Sequence, residues 1–163
     1  MKNVLLIVLL FTAGETMAQS NSRTTSEITK EFTFEGDNAT EEMTIQVSSS
    51  ISMIGFQFMG EIEMGKLEVT IFDPNSKKEG GFELTSKKAS KDKDKTSVSS
   101  SSKSNSNAEN NTHSYSYTST GSGKVHGNMS KHVDNPVSGT WKVIIKANNV
   151  KGQLAIKIGQ QEG

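Results

Sequence analysis

Three histidines and one aspartate are the residues whose types could do the most chemistry. His113, His126, His132 and Asp134 all fall in one third of a chain of 163 residues. Imidazoles with a carboxylate as fourth ligand are a zinc donor set, and they would support a metal-dependent hydrolase or a subunit of one. The surrounding sequence is Gly-rich and lacks the short, fixed spacings of known zinc sites, so solvated loop histidines are the preferred reading. Calcium takes hard oxygen ligands from loops. Asp73, Asn75, Asp134 and Asn135 flank two strand ends and could supply them, although Asp-Pro-Asn also forms a turn for purely local reasons. The expectation is no cofactor, with calcium as the one possible ion.

Nucleophilic catalysis is poorly served. The chain has no cysteine, and its many serines lie outside any Gly-x-Ser-x-Gly elbow. Binding chemistry is better represented. Tyr115 and Tyr117 stand in a polar stretch, where aromatic rings offer amphipathic contact area. Lys87, Lys88, Lys91, Lys93 and Lys95 could draw an anionic partner, although Asp92 and Asp94 interrupt the run. Basic and aromatic residues do not alternate as a nucleic-acid surface requires. Trp141 alternates with Val143 and Ile145, which places it in the core and makes it no stacking platform.

The elements that must hold these residues read as strands. Ile28, Phe32 and Phe34 punctuate one that stops at Gly36-Asp37-Asn38. Met43, Ile45 and Val47 alternate in the next. Ser48-Ser49-Ser50 is a break. Ile51 to Met59 has apolar residues in both phases (Met53, Ile54, Phe56, Phe58), which suggests burial on two sides. Met64-Gly65 reads as a turn, Leu67 to Ile71 as a strand, and Phe82 with Leu84 as a short one. Residues His113 to Thr118 alternate again, and Gly121-Ser122-Gly123 is a linker. After Pro136, two alternating runs joined by a turn with Asn149 and Gly152 form a closing hairpin.

The first residues stand apart. Lys2, the apolar run Val4 to Phe11 and the small-x-small boundary Thr16-Met17-Ala18 have the form of a signal peptide. The run is far short of the ~20 apolar residues of a membrane helix. The expected organisation is a signal peptide over 1–18, a flexible start over 19–26, an all-β antiparallel sandwich over 27–158, and a tail over 159–163. A Ser/Lys/Asn-rich insertion at 86–112 carries too little apolar area to offset the cost of ordering it.

The runs Ile54-Gly-Phe-Gln-Phe and Gly65-Lys-Leu-Glu-Val-Thr-Ile-Phe-Asp-Pro-Asn75, followed by Gly139-Thr-Trp-Lys-Val-Ile-Ile and Gly152-Gln-Leu-Ala-Ile-Lys-Ile, together resemble the P-domain of proprotein convertases. They also resemble the jelly-roll domains attached to bacterial secreted peptidases. Asn75-Ser76 stands where the pattern has Gly-Thr. The resemblance implies a jelly-roll-like fold and a stabilising or binding accessory role. The expected function is therefore a secreted or periplasmic, non-catalytic binding protein for an envelope polymer, a glycan or a protein partner, with neither nucleic-acid binding nor a membrane span.

Overall fold

A computed structural model describes residues 24–86, 111–119 and 124–163; for 24, 25 and 111–119 it describes the backbone alone. Six strands follow in order: β1 (Thr24–Val47), β2 (Ile51–Phe72), β3 (Lys78–Ser86), β4 (Asn111–Ser119), β5 (Val125–Asp134) and β6 (Gly139–Glu162). All of them belong to one antiparallel sheet of order β1-β6-β2-β5-β4, with β3 also paired to β2. The protein is all-β, as the alternation predicts. The strands form one sheet where a sandwich of two was expected.

One sheet can still bury a face if it bends. β1 and β6 have 24 residues each and β2 has 22, against the usual ~5–6 for a strand. Each changes phase partway along. β1 buries Phe32 and Phe34, then Met43, Ile45 and Val47; β2 buries Ile54 to Ile62 at even positions, then Leu67, Val69 and Ile71; β6 buries Trp141 to Ala147 at odd positions, then Leu154, Ile156 and Ile158. Side chains alternate with period two, so a strict continuation would send the second set to solvent. Bulges at Glu35/Asp37/Ala39 of β1 and at Ile62/Met64/Lys66 of β2 supply the correction. In β6 it is made around Asn149, at φ 52°. A bulge adds a residue and bends the strand.

The bend requires glycine. Gly65 has φ 91°, and a Cβ there would run into the backbone of Asn148 and Asn149; one on Gly152 would run into the backbone of Glu61 and Ile62. β2 and β6 thus touch at their corners. Two halves result. The first holds 24–35, 51–62, 150–161, β4 and β5. The second holds 39–47, 65–72, 139–147 and β3.

Their inner faces meet in one core. Phe56 lies 5.9 Å from Trp141 and Phe58 lies 6.4 Å from Phe82, ring centre to ring centre. Gly60 and Gly127 of the first half leave the space that Leu84 and Phe82 of the second fill. Trp141 is 1% exposed, and its indole N–H donates to the Val137 carbonyl at 2.8 Å. One charge joins this core. Lys131 of β5 is 1% exposed, and its Nζ donates to the Glu79 carbonyl at 2.5 Å and stands 3.8 Å from the Glu79 carboxylate. Burial pushes its pKa down, with Glu79 opposing the shift.

Several boundaries differ from the sequence reading for the same reason. The stop at Gly36-Asp37-Asn38, the turn at Met64-Gly65 and the closing hairpin are bends within β1, β2 and β6. Phase changes look like turns in a sequence, and the glycines reinforce the likeness. β6 runs to Glu162, so the expected tail is strand, and the Gly163 amide donates to Ser50 O at 3.1 Å. Ser86 ends β3, and Asn111 and Thr112 begin β4, so these lie in strands and outside the insertion. The other insertion residues and the expected signal peptide lie outside the described residues. β5 was not anticipated at all.

Candidate functional site

The four residues of the metal reading are held on β4 and β5. His126 and His132 occupy the outward phase of β5, six positions apart, or about 20 Å at the ~3.3 Å rise of a strand. His113 is in register with Lys131, and His132 with Thr112. Among the described residues there is no group of three or more His, Cys, Asp or Glu that could hold a metal ion. Their positions six residues apart on one strand keep His126 and His132 from sharing a metal ion. At the calcium candidates, Asp73 Oδ1 accepts the amides of Asn75 at 2.9 Å and Lys77 at 2.7 Å, which is an Asx turn. Asn135 is tied to the other end of β2, its amide donating to Ser52 O at 2.7 Å. Asp134 is in register with Met53 at that same end. Lys87, Lys88, Lys91, Lys93 and Lys95 lie outside the described residues. Tyr115 and Tyr117 stand in β4, in register with Met129 and Gly127.

The concave surface lies elsewhere, on the outer face of the first half. The register aligns residues across four strands in rows. Thr33, Gln153, Glu61 and His126 form one. Glu31, Ala155, Met59 and Asn128 form the next, followed by Thr29, Lys157, Gln57 and Ser130. Glu27, Gly159, Gly55 and His132 complete the set. A groove of about 470 Å³ crosses the first two rows, with Met59, 46% exposed, in its floor. A second, of about 400 Å³, lies over Gly55 and Gly159, walled by Gln57, Lys157, Gln161 and His132.

Charge on this face is largely compensated. Lys157 pairs with Glu27 at 3.1 Å and Lys151 with Glu63 at 3.0 Å. Lys124 bridges Glu61 at 2.9 Å and Glu63 at 3.3 Å, and His126 Nδ1 lies 3.3 Å from Glu61. The hydrogen bond from Lys124 is the main cause that holds the Glu61 carboxyl below its ordinary range, and the bond from Lys151 does the same for Glu63. The Lys124 ammonium is correspondingly raised, first through Glu61. What the face offers a ligand is hydroxyls, amides, two imidazoles, the Glu31 carboxylate and one exposed thioether.

Sequence reasoning missed this surface. It took Met53 with Ile54, Phe56 and Phe58 as burial on both sides of β2. From Met53 to Ile62 only the even phase is core, and Met53, Gly55, Gln57 and Met59 face outward. The available signal was Gly55 and Gly159, each inside an otherwise alternating strand, where glycine weakens pairing and often marks a close approach.

No family model matches the chain, the P-domain pattern included, and no curated protein matches it. Among solved structures, the chain is similar to the Bacillus licheniformis lipase BlEst2 in propeptide form, at 17% identity and a TM-score of 0.47, over 94% of this chain and 25% of that one. The chain thus spans a quarter of that lipase.

Proposed function

We propose that this protein is an exported, non-catalytic binding or accessory protein, and that its contact surface is the outer face of the first half. The observation that carries this reading is the pair of grooves crossing four strands on one face. Strand-borne side chains are held more precisely than loop residues. Apart from the Glu31 carboxylate in the first groove, the polar groups at hand are neutral donors and acceptors or members of ion pairs, and the lysines of the face are engaged by carboxylates. Such a surface suits a neutral, hydroxyl-rich envelope polymer or glycan better than an anionic one. β4 borders the face beyond β5, but Tyr115 and Tyr117 are in register with Met129 and Gly127 of the inward phase and so take no part in this reading.

The test is cosedimentation with insoluble polymers, namely peptidoglycan sacculi, chitin and β-glucan. Wild-type protein should pellet with at least one of them. Met59→Glu combined with Ala155→Glu, which places two carboxylates in the first groove, should stay in the supernatant while unfolding at an unchanged temperature. A double variant that pellets like wild type would remove this face from the reading.

A further inference from the structure

Glycine inside a strand is destabilising relative to alanine, so each one calls for a reason. The glycines of the first half's strands have reasons, with one exception. Gly60 and Gly127 give way to Leu84 and Phe82. Gly152 lies against the backbone of β2 at the bend, and a Cβ on Gly55 would press on the His132 ring at 3.1 Å. Gly159 differs. Its φ is not positive, and a Cβ built on it meets nothing within 4 Å. Neither backbone conformation nor internal packing calls for glycine here.

Gly159 lies opposite Gly55 in the register, with Glu27 beyond it on β1 and His132 beyond Gly55 on β5. Gly159 leaves its peptide bare, and the His132 ring over Gly55 walls one side of the trough, which measures about 400 Å³. We infer that this trough is a binding subsite for one pyranose ring of a neutral glycan, lying flat on the Gly159 peptide beside the His132 ring.

The fit is chemical as well as spatial. A ring laid flat presents C–H groups to the floor and hydroxyls around its rim. Around that rim stand Gln57, Gln161, Ser130 and His132, which both donate and accept hydrogen bonds. Lys157 and Glu27 neutralise each other at one end, 3.1 Å apart, so no lone charge calls for an ionic ligand. A polypeptide ligand would want apolar pockets for alternate side chains, and Met53 is the one apolar side chain among the lining residues that belongs to the outward phase. This inference rests on the outer face being the contact surface, and it goes on to assign the ligand class and the position of one ring.

Glycine at 159 can be replaced without disturbing the fold, which makes the test clean. Gly159→Leu fills the trough, and Gly159→Ala controls for the backbone. Binding of mannohexaose, cellohexaose and chitohexaose is read by calorimetry, beside a neutral Gly/Ser/Gln peptide. Wild type should bind at least one hexasaccharide. Gly159→Leu should lose about tenfold or more in affinity, which corresponds to ~1.4 kcal/mol, while unfolding no earlier than wild type. Unchanged affinity in Gly159→Leu would overturn the trough and leave the wider face standing. Binding of the peptide in place of every sugar would overturn the glycan assignment. If no hexasaccharide binds, the subsite falls, and cosedimentation with insoluble polymers decides separately whether the face survives as a contact surface.

Discussion

The two halves of the sheet share three strands and one core, yet they turn different surfaces to solvent. The outer face of the second half is filled in. Lys66 lies between Glu68 and Glu83 at 3.6 and 3.2 Å, Lys142 meets Glu42 at 3.1 Å, and Thr70 is only 9% exposed. The outer face of the first half carries both grooves, a bare glycine floor and an exposed methionine. Inward residues are constrained alike in both halves because they fill one core. Outward residues answer only to solvent and ligands, so a difference there carries functional information.

The comparison breaks first if the core is not shared. Trp141 of the second half packs on Phe56 of the first. Trp141→Ala should cost ~3–5 kcal/mol, the usual range for emptying a buried aromatic site. Denaturant melts measure it, and a near-neutral variant would mean that the halves are not packed together. Gly127→Val tests the same contact from the other side. The new side chain would meet Leu84 and Phe82, and overpacking of this kind costs ~1–3 kcal/mol.

The charged member of the core gives a pH signature. Burial lowers the pKa of Lys131, so between the lowered value and the ordinary 10.5 the unfolded chain binds more protons than the native one. Stability therefore rises with pH through that window as the buried amine sheds its charge. Lys131→Met keeps the stem and removes the titration. Wild type should gain on this variant as pH climbs toward 10.5. A constant difference in melting temperature would mean that the amine is solvated. The smallest effect concerns the outer face. Gly159→Ala should stabilise by ~0.5–1 kcal/mol, through a stiffer unfolded chain and a better strand former. A destabilised variant would show that the fold itself needs glycine there.

How much of this was legible follows from the alternation. Phe56, Leu67, Ile71, Trp141 and Ile156 lie in runs whose period-two pattern reports burial directly, so the strands and the place of Trp141 in the core could be read. The bends could not. Gly36, Gly65 and Asn149-Gly152 carry turn chemistry, and a single sequence does not distinguish a turn from a bulge that flips the phase. β5 was hidden for a different reason. Its inward residues are Val125, Gly127, Met129, Lys131 and Val133. A glycine that makes room for Leu84 and a lysine answered by Glu79 break the apolar pattern, and their partners are more than 40 residues away in sequence. The grooves were illegible because they belong to rows across strands, and rows exist only once the register is known.

The claim that the first half's outer face is the contact surface is tested most directly by NMR titration of the labelled protein. The probe is the hexasaccharide that binds best. The account predicts that the amides of Gly55, Met59, His132, Ala155 and Gly159 shift together and saturate, while those of Thr44, Glu68, Glu83 and Lys142 stay still. Shifts confined to the second group, or a bound sugar that leaves the first group still, would contradict it.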